Sequence, residues 1–267
     1  MIEDNKLLPT GKPHVSFSEV KTWKECPWRH KLLYIDKVQE YEDSEHTVFG
    51  TIVHGMCEEY LKTKVINKEL LEKKLRESWQ SKNYNDVDTW LKNAELIMND
   101  LPQFMTDNFG DWDCVDAELA LYEPIGDSQY SFKGFVDGII SVKHKKKDII
   151  WIIDWKSANA RGWTSEKRRD FTVQAQLALY KFYLMQKLTL DAKEVKCSFI
   201  LLKKGAKPGK ICERIDVSAG PKTLEKSQKF ISNAISGMNS KIILKNKLSC
   251  KFCQFKNTKH CPGSGDF

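Results

Sequence analysis

The sequence predicts a mixed α/β domain in which helices flank a central β-sheet. Two apolar runs rich in β-branched residues, at 132–142 and 149–155, are separated by a polar turn at 144–148. This pattern is typical of a β-hairpin. Amphipathic helical periodicity precedes the hairpin, and a helix, two strands and a last helix follow it. The order of elements therefore indicates a sheet covered by helices, with an N-terminal helical insertion and a C-terminal segment that carries cysteines.

The first 110 residues are predicted to be mostly helical. Residues 1–15 are polar and indicate a loose arm. Ser16 and Ser18 are each suitable N-caps for a first helix, because a hydroxyl can accept a hydrogen bond from a first-turn N–H group. Helices are predicted at residues 16–34, at 48–64 and, as one or two segments, at 67–109.

The rest of the chain is predicted to supply the strands of the sheet and two further helices. Strands are predicted at 114–122, 132–142, 149–155, 194–203 and 211–217, and helices at 171–187 and 221–238. Residues 157–170 are predicted to be a basic loop. We expect one domain over residues 1–267: a helical part at 16–110, a sheet core at 111–220, and a helix with the cysteine segment at 221–267.

Composition limits the classes of protein to which the chain can belong. With 267 residues and 41% hydrophobic content, it can bury a sizeable core. A net charge of +7 fits a polyanionic partner without demonstrating one. No apolar run approaches the ~20 residues of a membrane span, and the polar start lacks the apolar region of a signal peptide. We therefore expect a protein of the cytoplasm or nucleoplasm, where the eight cysteines stay reduced and available for metal.

Two acids and a lysine interrupt the apolar hairpin. Asp137 lies within the first strand, and Asp154 and Lys156 lie two residues apart at the end of the second. Because strand side chains alternate in direction, Asp154 and Lys156 point to the same face, and the hairpin can bring Asp137 beside them. Two nearby buried carboxylates repel each other unless a cation lies between them. The arrangement favours a site for a hard divalent cation such as Mg²⁺ or Mn²⁺ over a structural ion pair.

The cysteines fall into two groups. Those at positions 57, 114, 197 and 212 lie in apolar helix or strand patterns, so we expect buried small hydrophobes there. Cys250, Cys253 and Cys261 lie in a short polar tail that has no core of its own. Three thiolates need a fourth ligand, and His260 is one candidate. Thiolate sites suit a [4Fe–4S] cluster or zinc, and the sequence alone does not separate the two.

A series of short motifs resembles the PD-(D/E)XK nuclease superfamily. The motifs are Gly134-Phe-Val-Asp137, Asp154-Trp-Lys156 and Gln176-Leu-Ala-Leu-Tyr180, in that order. The likeness is strongest to the RecB-type branch, which includes the CRISPR-associated and AddB-type iron–sulfur nucleases. His54, in Phe-Gly-Thr-Ile-Val-His54, resembles the helical histidine of that branch, and Glu118 its first-strand acid. The superfamily's proline before the first aspartate is Val136 here, a departure that is frequent in this branch.

The resemblance implies a role for each of these residues. It implies a restriction-endonuclease-like fold in which Asp137, Asp154 and His54, with the carbonyl of Trp155, hold Mg²⁺ or Mn²⁺. Lys156 orients the attacking water and stabilises charge on the phosphate. Glu118 acts through water or a second metal ion. Gln176 and Tyr180 hold the lysine or a substrate phosphate, although aromatic helix positions are more often core packing.

The resemblance also extends to the cysteines and to the partners. Cys26, in Glu25-Cys26-Pro27-Trp28, resembles the family's distant N-terminal cysteine, which completes a [4Fe–4S] ligand set with Cys250, Cys253 and Cys261; zinc is the alternative. The implied activity is hydrolysis of DNA, as an exonuclease at single-stranded ends, with protein partners in recombination, replication or CRISPR adaptation. The implied location is the cytoplasm, or the host-cell cytoplasm if the chain is phage-encoded. Trp163 and Phe171 are candidates to stack on unpaired bases.

Two other classes of function compete with this one. A non-catalytic DNA-binding module could carry the iron–sulfur or zinc site as its main feature, and an iron–sulfur electron carrier could use the cluster for redox chemistry. The intact set of Asp137, Asp154 and Lys156 argues against the first, because a binding module has no need to keep like charges together. The lack of a partner cofactor motif argues against the second.

Overall fold

The computed structural model describes residues 7–39, 43–145 and 147–262. Residues 1–6 of the predicted arm lie outside the described residues. The α-helices are α1 (Phe17–Glu25), α2 (Pro27–His30), α3 (Glu45–Thr63), α4 (Lys68–Ser81), α5 (Val87–Phe109), α6 (Ser165–Arg169), α7 (Phe171–Leu188) and α8 (Pro221–Asn239). The strands are β1 (His14–Ser16), β2 (Trp112–Asp116), β3 (Leu119–Pro124), β4 (Ser131–Val136), β5 (Gly138–Val142), β6 (Ile149–Asn159), β7 (Val195–Lys204) and β8 (Cys212–Val217).

Capping side chains fix where several helices begin. Ser16 accepts from the N–H of Glu19 at the start of α1, which confirms one of the two predicted caps. Ser44 and Asn67 cap α3 and α4 in the same way. A side-chain oxygen at this position satisfies one of the N–H groups that the first turn leaves unpaired. Helix α3 therefore begins three residues earlier than its apolar stripe predicts.

A mixed five-stranded sheet carries the central hairpin. Its strand order is β2-β5-β6-β7-β8, and only β6 and β7 are parallel. Strands β5 and β6 form the predicted hairpin, with Gly138 opposite Ile153 and Val142 opposite Ile149. The parallel pair β6 and β7 requires a crossover, and α7 supplies it. The predicted mixed α/β architecture is confirmed.

Helices cover both faces of this sheet. Strand β6 directs Trp151, Ile153 and Trp155 into an apolar core shared with α3, α4 and α5. Its alternate residues face α7, as the hydrogen bond from Gln176 to Asp154 shows. A strand with helices on both faces is expected to be apolar throughout, which explains the continuous run Ile149–Ile153. A polar residue on such a strand therefore needs a specific partner.

The single predicted sheet is wrong in one respect, because a second sheet is present. Strands β1, β4 and β3 form a three-stranded sheet in that order, with β1 parallel to β4. The predicted strand at 114–122 is two strands, separated at Glu118, whose φ of +66° breaks an extended run. The predicted strand at 132–142 is also two strands, which separate at Asp137.

Two further boundaries differ from the sequence prediction. The predicted first helix is interrupted at Cys26, because Pro27 disfavours helical geometry at the residue before it, and residues 31–35 form a π-helical turn. The predicted loop at 157–170 is shorter than expected. Strand β6 continues to Asn159, and α6 occupies Ser165–Arg169.

The chain divides into two compact units. Unit 1 comprises residues 1–42, 121–134 and 224–267, and unit 2 comprises residues 43–120 and 135–223. Unit 2 contains the large apolar core, and unit 1 contains a smaller cluster around Leu32, Phe255 and Cys261. The single-domain organisation of the chain stays a prediction. Within the described residues, no helix has the length and apolar character needed to cross a membrane.

Candidate active site

Strand β6 presents two of the predicted catalytic residues on one face, within unit 2. The carboxylate of Asp154 and the ammonium of Lys156 form an ion pair, as their spacing of two residues predicts. Asp154 is only 1% exposed, so it needs polar partners. Lys156 faces its Oδ2, and the side-chain amide of Gln176 donates to its Oδ1 at 2.9 Å. The pair is a buried charge centre on an otherwise apolar strand.

Asp137 lies beside this pair, at the junction between β4 and β5. Its Oδ2 accepts a hydrogen bond of 2.9 Å from the backbone N–H of Trp155. Because Trp155 lies between Asp154 and Lys156 in β6, this bond holds the Asp137 carboxylate against the strand that carries them. The break in the predicted strand thus orients Asp137 towards β6.

Helix α3 contributes His54 to the same group. Its Nδ1 lies 3.8 Å from Oδ2 of Asp137, and its buried Nε2 has no hydrogen-bond partner in the described part of the chain. Burial, and then the charge of Lys156, lowers the pKa of His54 to about 4. The ring is therefore neutral at pH 7, which is the form that binds a metal ion.

The two aspartates favour proton uptake. Burial raises the pKa of Asp137 to about 8, and the charge of Asp154 acts in the same direction, while Lys156 and the N–H of Trp155 oppose it. Burial also raises the pKa of Asp154, in spite of Lys156. Burial acts to lower the pKa of Lys156, but the two carboxylates outweigh it and the net change is a rise. At pH 7 the aspartates therefore carry less than their full charge unless a cation joins them.

Helix α7 faces the aspartates with an amide and a phenol. Besides its bond to Asp154, Nε2 of Gln176 donates to the hydroxyl of Tyr180 at 3.3 Å. Burial, and then the charge of Asp154, raises the pKa of Tyr180. The predicted helix face therefore points to the candidate site. Tyr180 is also buried and Gln176 is half-buried, so this face combines packing with positioning.

The structure adds one acid that none of the sequence motifs includes. Glu58 lies on α3 one turn after His54, and its charge contributes to the raised pKa of Asp137. Burial, and then the charge of Glu118, raises the pKa of Glu58 itself. The signal was available in the sequence, because residues four apart on a helix share a face.

Two predicted residues occupy less central positions. Glu118 is exposed in the turn between β2 and β3, where its backbone N–H donates to the carbonyl of Asp137 at 3.3 Å. A role for its carboxylate stays a prediction. Trp163 is 8% exposed and packs on Phe199 with ring centroids 5.0 Å apart, so the expectation that it stacks on bases is wrong. Burial of the large apolar ring is more favourable than its exposure to water.

The donor types in this group fit a hard divalent cation. Carboxylate oxygens and a neutral imidazole are common ligands, and the unpaired, buried Nε2 of His54 lacks a partner that a cation would supply. The side chains are not arranged as a preformed cage. Among the described residues, no three His, Cys, Asp or Glu side chains converge as a metal site. Lys156 compensates the charge of Asp154 in this arrangement.

Unit 1 contains the second predicted site, built around the break in the first helix. Side chains of the C-terminal segment bond to this break: Nδ2 of Asn246 and the hydroxyl of Ser249 donate to the carbonyl of Glu25 at 2.8 and 2.7 Å. The N–H of Asn246 points to Sγ of Cys26 at 3.4 Å. These contacts place Cys26 beside the segment that carries the other three cysteines, more than 200 residues away in sequence.

Four free cysteines line one cavity of about 170 Å³ in unit 1. They are Cys26, Cys250, Cys253 and Cys261. Partial burial, and then the charges of the other three, raise the pKa of the Cys250 thiol. The competing ligand His260 does not line this cavity; its backbone carbonyl accepts from Trp28 at 3.1 Å. Three of the four remaining cysteines are buried as expected, at positions 57, 197 and 212.

The fold and the candidate site together define a nuclease of the PD-(D/E)XK class. The PD-(D/E)XK nuclease superfamily matches residues 14–261, and the chain belongs to it. The chain is also similar in structure to a protein from Eubacterium rectale described as a "putative exonuclease". The TM-score is 0.58 at 13% sequence identity, over 95% of this chain and 92% of that chain. At this identity the likeness supports the fold alone. No curated protein sequence matches the chain.

Proposed function

We propose that the protein is a Mg²⁺- or Mn²⁺-dependent deoxyribonuclease of the RecB-like branch, acting as an exonuclease at single-stranded DNA ends. The observation that carries the proposal is the set of contacts in unit 2 that joins Asp154 to Lys156, Asp137 to the backbone of Trp155, and His54 to Asp137. The raised pKa of Asp137 supports it, because two buried carboxyls held together destabilise the metal-free fold and a bound cation would offset this cost. The position of His54 on a helix that precedes the sheet supports the RecB-like assignment.

Asp137, Asp154 and His54, with the carbonyl of Trp155, would hold the cation. When bound, the cation lowers the pKa of a bound water and offsets negative charge on the phosphate. Gln176 positions the carboxylate of Asp154 through its amide, which leaves the other oxygen free to face Lys156 or a ligand.

Lys156 would supply the positive charge beside the reacting phosphate. Its raised pKa keeps the ammonium protonated at pH 7. With a cation bound at Asp154, Lys156 would be available to donate to the attacking water or to a phosphate oxygen. Charged donors at such positions are among the largest contributions to catalysis.

The experiment is digestion of end-labelled DNA with Mg²⁺, with Mn²⁺ and with chelator. The label is placed at either end, on single-stranded and on tailed substrates. Asp154→Asn and Lys156→Met should each lower the rate by about 10²–10³, as loss of one charge-stabilising donor does elsewhere. Lys204→Met, which removes a half-buried lysine of β7 outside this group, is the matched control. Release of single nucleotides supports an exonuclease. Full activity of purified Asp154→Asn would refute the proposal.

The alternative is a non-catalytic DNA-binding module with an iron–sulfur or zinc site. The same assay separates the two, because such a module binds DNA without metal-dependent cleavage. The ion pair at Asp154 counts against this alternative. A binding surface gains nothing from a carboxylate that is 1% exposed.

We propose in addition that Cys26, Cys250, Cys253 and Cys261 hold a structural [4Fe–4S] cluster. Their common cavity supports this, and so does the distance in sequence, because a cluster there would join chain segments that are far apart. Its role would be stability and not redox chemistry, as hydrolysis needs no electron transfer.

The colour of anaerobically purified protein tests this assignment. A cluster should give broad absorption near ~400 nm and about four irons per chain. Cys253→Ser should remove the colour and lower the melting temperature, whereas Cys197→Ser, at a buried thiol in unit 2, should keep the colour. A colourless protein with one stoichiometric zinc would refute the cluster and leave the nuclease proposal intact.

A further inference from the structure

Unit 2 has a second cleft, away from the aspartates, that the nuclease mechanism does not use. It has a volume of about 440 Å³ and lies where β7 begins and β8 ends. Its charged lining residues are Lys181, Lys193, Lys196, Arg214 and Asp216. Four cations and one carboxylate give the lining a net charge of about +3 at pH 7. A cleft of this size can hold a small ligand.

Lys181 is the unusual member of this group. It lies on α7 and is only 7% exposed, and it forms no ion pair among the described residues, although the charge of Asp191 acts on it from a longer distance. Its Nζ donates to the backbone carbonyl of Ala192 at 2.8 Å. An ammonium has three N–H donors, so this bond leaves two for other acceptors. Buried lysines are nearly always paired, because an isolated buried charge is unfavourable.

Arg214 and Asp216 neutralise each other and do not compensate the lysines. The guanidinium donates to the two carboxylate oxygens at 2.6 and 2.9 Å and to the carbonyl of Asn108 at 2.7 Å. It also lies 4.2 Å above the ring of Trp151, which fixes it in place. Its donors are therefore largely committed, and the uncompensated charge comes from the three lysines.

The other two lysines stand at the surface of the cleft. Lys193 and Lys196 are both exposed, and Nζ of Lys196 lies 5.4 Å from the ring centroid of Trp151. Exposed lysines alone are usually only solvated charges. Here they lie in the same cleft as a buried lysine whose charge is unpaired, which is the combination that an anion would stabilise. Burial lowers the pKa of Lys181, the charges of Cys197 and Asp191 only partly oppose this change, and a bound anion would oppose it further.

We propose that this cleft binds a phosphate group, either on a free nucleotide or in a nucleic-acid strand. The buried Lys181 would donate to the phosphate oxygens, and Lys193 and Lys196 would add charge at the entrance. The cleft is separate from the candidate active site. Trp151 precedes Asp154 by three residues on β6, which is about 10 Å of strand. This inference does not depend on the proposed nuclease activity.

Binding is measured by calorimetry with three probes: inorganic phosphate, a deoxynucleoside 5′-monophosphate and a short single-stranded oligonucleotide. The intact protein is used without divalent cations. Lys181→Met removes the buried charge and keeps the aliphatic stem, so the dissociation constant should rise at least about tenfold, equivalent to 1.4 kcal/mol. Lys187→Met, at an exposed position on the same helix, is the matched control and should bind as the parent protein does.

The three probes distinguish the two sources of phosphate. Loss of phosphate and mononucleotide binding in Lys181→Met supports a site for free nucleotides, and loss confined to the oligonucleotide supports a site for a strand. Should Lys181→Met fail to fold, a double variant, Lys193→Gln with Lys196→Gln, changes only exposed residues and should weaken binding in the same way. Absence of saturable binding of any probe up to about 10 mM, or binding that neither variant weakens, would overturn the proposal.

Discussion

Replacing Asp137 by asparagine should change how the stability of the metal-free protein depends on pH. The pKa of Asp137 is about 8 in the folded protein, against 3.8 for an unperturbed aspartate. The folded state therefore keeps a proton that the unfolded state loses. Stability falls as pH rises through the interval from about 4 to about 8, because the folded state binds more protons there.

His54 acts with the opposite sign over part of this interval. Its pKa is about 4 in the folded protein against an ordinary value of 6.5, so the unfolded state binds the extra proton and stability rises with pH between these values. The two contributions oppose each other below pH 6.5. Between pH 6.5 and about 8, only Asp137 still contributes, and its contribution is a loss of stability as the pH rises. At 1.36 kcal/mol per pH unit, the loss over this window is at most about 2 kcal/mol.

The assay is chemical denaturation at several pH values between 6.5 and 8, with chelator present. The parent protein should lose up to about 2 kcal/mol of unfolding free energy relative to Asp137→Asn across the window. Saturating Mn²⁺ should remove this loss in the parent protein, since a cation between the carboxylates replaces the proton. Parallel curves for the two metal-free proteins would show that Asp137 does not share a buried site with Asp154, and the site described above would be wrong.

Two further predictions concern packing and positioning. Gln176→Ala should slow cleavage more than it lowers the melting temperature, because the amide of Gln176 orients Asp154. Gln186→Ala, at an exposed position of the same helix, is the control and should change neither the rate nor the melting temperature. A proportional loss of rate and melting temperature in Gln176→Ala would indicate that Gln176 acts through packing alone. Gly237→Ala should destabilise the protein by about 1–3 kcal/mol in denaturant, because a Cβ there would lie 2.0 Å from the ring of Trp23. Gly55→Ala, in a helix with nothing within 4 Å of the new Cβ, should be neutral or stabilising, and equal losses in the two variants would contradict the clash.

The candidate site was predictable to the extent that it follows from local periodicity. Strand alternation places Asp154 and Lys156 on one face, and the structure has them in an ion pair. Helical periodicity places Gln176 and Tyr180 on one face, and they are hydrogen-bonded to each other. These relations depend only on residues a few positions apart, so a sequence contains them in full.

The remainder depends on where the chain leaves a regular element. The break at Asp137 was missed although Asp137 and Gly138 form an Asp-Gly pair that is typical of turns, because the β-branched residues on both sides favour a continuous strand. The break exists because the carboxylate bonds to the backbone of Trp155, which is a tertiary contact. The strand break at Glu118 was missed for a similar reason, since its positive φ is unusual for a glutamate. Trp163 was expected to be at the surface, but it packs against Phe199, a residue distant in sequence, and this contact shields its ring from solvent.

The composition of unit 1 from three separate chain segments has a consequence for biosynthesis. Residues 1–42 are made before unit 2, but Phe255 and Cys261, which pack with Leu32, are made after it. At 5–20 residues per second, the intervening chain takes roughly 10–40 s to synthesise. Residues 43–223 contain all of unit 2, which can fold during that time. The cysteine cavity can close only afterwards, once the residues up to Cys261 have been made.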